Sequence, residues 1–382
     1  MTVQASADEL VGRALLNVRA TLTGAGEDGF PFAAMVTDGG RRWALTQGEF
    51  WTEGLWLGQL WWAYGHSGDQ AFLHAAESLY ERIRHRRHDP STHDLGFLFV
   101  PSALRAWKLT GHARYRLDAI EAARTLAGRY DPECHVILAW DVLDGVSMGR
   151  VAIIDTLVNL QLLYWAFSET RDARFDDVAR STLDAMIRLF VRADGSTRQM
   201  VRFEGTGCTL RAVAARHQGF SPESCWSRGL GWGIYGLASA YEHLEDVRYL
   251  DTAERLIAYY LENAPWDLVP LYDFADPAGV AEAPRDSSAA TITAAGLATL
   301  WRVTGHERYG ALARAIIGSL VDNGYFVPDE ERAGGLIAHG CFHYPRGLFI
   351  DAELVFGDYY FVEALTLLRS NGHSNARSRA DT

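Results

Sequence analysis

The chain has 382 residues, 48% hydrophobic and 22% charged, with a formal net charge of −12. That length and apolar content support a large buried core. The acidic balance sets aside general nucleic-acid binding and attachment to anionic membranes.

In chain order, MTVQASADELVGRALLNVRATL has the apolar spacing of an amphipathic helix. It lacks a basic segment followed by a continuous apolar run, so no secretory leader is expected. No apolar run reaches membrane-spanning length. Further on, one turn recurs after an aromatic-ended helix, as in AYGHSGDQAF (63–72), AWKLTGHARY (106–115), AFSETRDARF (166–175), AYEHLEDVRY (240–249) and LWRVTGHERY (300–309). Each copy leads into an amphipathic helix, so the chain is an array of helical hairpins. Twelve helices are expected, over about 7–23, 54–66, 70–87, 95–110, 112–129, 151–168, 172–191, 227–244, 247–263, 287–304, 306–322 and 351–369. Short strands are expected only within 194–220 and 325–345. Cys134, Cys208, Cys225 and Cys341 show no CxxC spacing and read as reduced thiols of a cytoplasmic protein.

The even-numbered helices are the more apolar and read as inner, the odd ones as outer. Neither terminus carries a polar capping repeat, which favours a closed ring of six hairpins over an open solenoid. The expected fold is all-α, a single (α/α)6 barrel over 1–370, with 371–382 as an unordered tail. The inner helices then run parallel, and the long loops before them gather with their N-termini on one face. That face suits an anionic ligand.

Each inner helix start carries a polar cluster. Asp155 lies in GRVAIIDTLVNLQLLYW (149–165), where burying an ionised carboxylate is costly unless it is paired. It is either a paired structural Asp or a carboxyl tuned for chemistry. Asp94, after His93, and Asp286, before Ser287 and Ser288, also read as N-caps. Arg228 lies between Trp226 and Trp232, and a guanidinium in that setting needs an anionic partner. The tryptophans read equally as packing. His93, His217, His339 and His343 have no metal-ligand spacing, so no metal is expected.

HDLGF (93–97), IIDTLVNLQLLYW (153–165), HQGFSPESCWSRGLGWGIYG (217–236), RDSSAA (285–290) and HYPRG with GDYYFVEAL (343–365) resemble the unsaturated glucuronyl hydrolases of glycoside hydrolase family 88. The resemblance implies an (α/α)6 barrel, in agreement with the helix count. It implies removal of the 4,5-unsaturated uronic acid that polysaccharide lyases leave at an oligosaccharide's non-reducing end, with no metal and no organic cofactor. By resemblance Asp155 is the general acid/base and Asp94 the second essential carboxylate. Gln218, Trp226, Arg228 and Trp232 match substrate-contacting positions, and His93 and Trp140 fall near the same pocket. Gln199 stands where family members often carry a His, and SRGLGW replaces the more usual SRGQAW. Tyr344 and Arg346 of HYPRG join the candidate contacts, with Arg346 read equally as a solvated loop residue. The alternatives are an unsaturated rhamnogalacturonyl hydrolase on the same fold, a sugar epimerase on a similar barrel, and a helical-repeat binding protein. The sequence leaves the oligomeric state open.

Overall fold

In the computed structural model the described residues are 7–25, 29–37, 40–143, 145–327 and 334–370. The expected tail at 371–382 lies outside them. Among them the chain forms twelve long helices, taking 95–110 and 156–170 each as one interrupted helix. The ends fall within a few residues of the expected ones in most cases. Burial separates two kinds. Glu53–Ser67, Ser227–Leu244 and Ser287–Thr304 are buried around most of their circumference. Gln70–Ile83, Ala173–Phe190 and Val247–Asn263 bury one stripe and expose the rest. The former are inner helices and the latter outer ones, as a double-walled ring demands.

Successive inner helices touch all the way round. The ring closes where Val355–Ser370 packs on Glu53–Ser67. A closed ring leaves no apolar end uncovered. Small residues set the approach of the walls. A Cβ on Gly54 would lie 2.2 Å from the Phe97 carbonyl oxygen, and one on Gly96 would lie 2.4 Å from the Asn159 Cα. These glycines let three consecutive inner helix starts meet without side chains between them.

Strands decorate one end of the ring. Phe30–Thr37 pairs antiparallel with both Gly40–Thr46 and Glu353–Leu354. Val151–Ile153 pairs with Met200–Glu204, which pairs with Arg211–Ala215. A small hairpin joins Val142–Leu143 to Val146–Ser147. The strands at 200–204 and 211–215 lie where they are expected. The first hairpin and the strand at 151–153 are not expected. Val151, Ala152 and Ile153 are fully buried and continue the apolar run of the helix after them, so periodicity does not separate the two elements. The loops also bond to one another. Thr92 bridges Trp140, the Ile154 N–H donates to the Gln199 carbonyl, Ser227 N–H to Tyr272 and Ser287 N–H to His339. This stitching makes one rigid rim from segments far apart in sequence.

Candidate active site

Within the rim lies a cavity of about 650 Å³ lined by Asp94, Trp140, Asp155, Gln218, Trp226, Arg228, Trp232 and Arg346, among others. Eight of the eleven residues singled out from sequence therefore converge from separate loops and helix starts. The other three lie behind the wall. His93 is fully buried behind Asp94 and Trp140. The Gln199 amide oxygen accepts the His217 and Gln218 backbone N–H groups at 3.0 and 3.2 Å. Tyr344 packs against Tyr272, ring centroids 5.9 Å apart. The wall also includes Phe50, Trp51, Thr92, His217, Phe342 and His343. HQG and HYPRG carried a signal for His217 and His343, but such residue types are ordinary in a core. Only the closed ring aims them at one space.

Asp155 is not inside a helix. It follows the strand 151–153 and occupies the N-cap position of Thr156–Asn159, but its side chain makes no capping bond. It is 8% exposed, and Oδ2 has no hydrogen-bond partner among the described residues. Desolvation, reinforced by the negative charge of Asp94, raises its carboxyl from 3.8 to about 7, with Arg228 opposing. Backbone placement comes from Asn159, which bonds the Asp155 carbonyl at 3.2 Å and accepts the Phe97 N–H at 2.9 Å. One amide thus fixes the helix starts that carry both aspartates.

Asp94 precedes Leu95–Phe99 and likewise does not cap it. Its Oδ2 accepts from Thr92 Oγ1 at 2.7 Å and from Trp140 Nε1 at 3.3 Å. His93 Nε2 faces Oδ1 at 3.4 Å, while its Nδ1 meets Thr156 Oγ1 at 2.9 Å. Burial pushes His93 down to about 4, so the imidazole is neutral near pH 7. The neutral ring therefore brings Asp94 no counter-charge.

Arg228 is 1% exposed and has its anionic partner within the protein. Nη1 meets Asp286 Oδ2 at 2.5 Å and the Cys341 carbonyl at 2.7 Å, and Nη2 meets the Phe342 carbonyl at 2.5 Å. The guanidinium carbon sits 4.6 Å from the Trp226 ring and 5.1 Å from Phe356. The anion that sequence reasoning sought for Arg228 is therefore supplied by Asp286. Asp286 does cap its helix, accepting the Ser288 N–H with its other oxygen at 3.2 Å. Trp226 and Trp232 combine both readings, since each is buried in the core and lines the cavity.

Among the described residues, no cluster of three or more His, Cys, Asp or Glu has the arrangement of a metal site. No helix there is long and apolar enough to cross a membrane.

No family model matches the chain. It is 33% identical over 326 residues to the unsaturated chondroitin disaccharide hydrolase of Streptococcus pneumoniae, spanning 82% of this chain and 81% of that protein. It is also 33% identical over 350 residues to the unsaturated glucuronyl hydrolase of a Bacillus species, spanning 89% of this chain and 91% of the relative. The crystal structure of the unsaturated glucuronyl hydrolase from Bacillus sp. GL1 superposes with a TM-score of 0.88 at 31% identity, covering 96% of this chain and 97% of that one. By fold and by sequence, the chain belongs to the unsaturated glucuronyl hydrolases and is a glycoside hydrolase.

Proposed function

We propose that this enzyme removes the 4,5-unsaturated uronic acid from the non-reducing end of lyase-generated oligosaccharides, with Asp155 as proton donor. The observation that carries this is a buried carboxyl that lines a sugar-sized cavity together with a second carboxyl, Asp94; burial and the charge of Asp94 raise its proton affinity to about 7. Such a group is still substantially protonated at neutral pH, as an acid must be when substrate binds.

The substrate class has an enol ether between C4 and C5. The Asp155 carboxyl gives its proton to C4, and positive charge develops at C5. Water adds at C5 and loses a proton to the Asp155 carboxylate, which restores the acid. The C5 hemiketal opens to a ketone, leaving a hemiacetal at C1 that releases the aglycone alcohol. Asp94 is the second carboxylate, held by Thr92 and Trp140 to bond the sugar. Trp226, Trp232 and Gln218 form the surrounding wall. Arg228 keeps two donors, Nε–H and one of Nη2, beyond the bonds to Asp286, Cys341 and Phe342. Those donors and Arg346 are the proposed anchors for the uronate carboxylate.

The reading extends to a cytoplasmic setting, supported by free buried thiols at Cys134, Cys225 and Cys341. An epimerase would draw on a pair of basic histidines. His217 and His343 do stack edge-on at 5.1 Å in the wall. Burial and neighbouring positive charge push His343 down to about 3, which makes it a poor base.

Isotope placement tests the chemistry. Reaction in heavy water is expected to put deuterium at C4 of the product. Reaction in oxygen-18 water is expected to label C5 and leave the aglycone hydroxyl unlabelled. Attack at C1 with an intact double bond refutes the proposal. Turnover of glycosaminoglycan-derived over pectin-derived unsaturated disaccharides separates it from a rhamnogalacturonyl hydrolase.

A further inference from the structure

The ring has a second mouth, at the C-terminal ends of the inner helices. There a separate cavity of about 590 Å³ takes lining residues from all six, among them Trp61, Lys108, Trp165, His243, Arg302 and Glu363. A second cavity of this size falls within the range of small-molecule sites. Its floor is aromatic and largely buried, with Trp61, Tyr235 and Tyr359 at most 6% exposed. Its rim is charged. Arg105, Lys108 and Arg302 stand against two carboxylates, Glu242 and Glu363.

The pairing is uneven. Arg302 holds Glu242 in an ion pair. Glu363 accepts the Tyr235 hydroxyl at 2.9 Å, and the positive charge of Arg105 acts on it directly. Lys108 makes no ion pair among the described residues, although its stem runs beside this wall. It is also the only lysine in a chain with 35 arginines. His66 and His243 line the mouth as well, and each donates Nδ1–H to the carbonyl four residues earlier, at 3.0 and 2.9 Å. Helix C-termini account for cations at the last turns. They do not account for an aromatic-floored hollow with one positive charge in excess.

We propose that this second mouth is a binding site for a small monoanionic carboxylate, of the size of a uronic acid monosaccharide, with Lys108 as its counter-charge. Three cations share two carboxylates at this mouth, and the one positive charge left over matches one ligand carboxylate. Arg105 supplies further donors, and Glu363 and the two imidazoles, whose Nδ1–H groups are spent on backbone carbonyls, supply acceptors for hydroxyls. This inference stands apart from the chemistry assigned to Asp155, because no residue is shared between the two cavities.

The single lysine makes the test direct. Reductive methylation with carbon-13 formaldehyde places one side-chain label in the whole chain, at Lys108, and keeps its charge. The α-amino label is told apart by its lower titration range. Sodium glucuronate added to the full-length labelled protein is expected to move the Lys108 resonance saturably, whereas glucose leaves it in place. Arg105→Gln, read at the same resonance, is expected to weaken glucuronate at least tenfold. In unlabelled protein, Lys108→Gln is expected to remove the corresponding heat of binding while hydrolysis stays within twofold of the parent. A resonance that glucuronate does not move, or that glucose moves equally, overturns the site. Tighter saturation by inorganic phosphate than by glucuronate overturns the carboxylate class.

Discussion

Two helix starts in this ring carry an aspartate at the same position, and their fates differ. Asp286 caps its helix through one oxygen and pairs with Arg228 through the other, and both residues are closed to solvent. Asp155 stands at the N-cap position, caps nothing, and leaves Oδ2 without a partner. The first is a structural group held by a guanidinium and a backbone N–H, and the second is an acid kept near neutrality by burial and by Asp94. A helix N-terminus stabilises a carboxylate only when backbone N–H groups or a cation reach it. Where they do not, desolvation dominates and the proton stays.

The sharpest test of that contrast is Asp155→Asn, which keeps the shape and removes the proton. Activity is expected to fall by at least about 10²–10⁴-fold, the usual span of general acid–base effects, with circular dichroism unchanged. A rate near that of the parent would remove Asp155 from the chemistry.

Asp286→Ala is expected to act on folding instead. It leaves the Arg228 guanidinium buried without its counter-ion and also removes a cap. The expected loss is about 3–5 kcal/mol in denaturant unfolding. A marginal change would mean that the Cys341 and Phe342 carbonyls suffice for Arg228.

The raised carboxyl of Asp155 also makes stability depend on pH. Asp155 is raised from 3.8 to about 7 in the folded state, so between those values the folded protein holds the extra proton. Its contribution is present below pH 4 and is lost as pH rises through 7. Asp155→Asn is therefore expected to be more stable than the parent at pH 8, by about 2–4 kcal/mol, with the gap closing towards pH 4. Unfolding curves at the two pH values measure it, and an equal gap at both would contradict the raised carboxyl.

A smaller effect is expected of Arg228→Lys. An ammonium cannot serve Asp286 and two carbonyls together in the guanidinium's planar geometry. Catalytic efficiency is expected to drop about tenfold, with a lowered melting temperature. Loss of efficiency without loss of stability would shift the weight towards a direct substrate contact.

The smallest effect concerns the coupling of the aspartates. The negative charge of Asp94 raises Asp155, so Asp94→Asn lowers it, and the basic limb of kcat/KM moves to lower pH. The shift is expected to be on the order of one pH unit, on a reduced rate. A limb that stays in place would show that burial alone tunes Asp155.

Much of this molecule is written in local pattern. The recurring turns and the 3.6-residue spacing give the hairpins, and the contrast between apolar and striped helices gives the inner and outer walls. Asp155 was legible because a carboxylate in an apolar run is conspicuous, whereas Asp94 read locally as an N-cap and gained its role only from the family resemblance. The sheet at 151–153 was not, since a short fully buried strand and a buried helix start share one composition. Nor does sequence reveal what a polar atom meets. Arg228 needed an anion, and only the folded ring identifies it as Asp286, 58 residues on. Gln199 and Tyr344 sit in motifs beside the cavity and turn away from it, because side-chain direction follows from the rim's backbone bonds rather than from neighbours in the chain. Local chemistry therefore determined which groups gather at the helix starts. Ring closure, which sets distance, burial and pairing together, decided which of them stays protonated and faces the cavity.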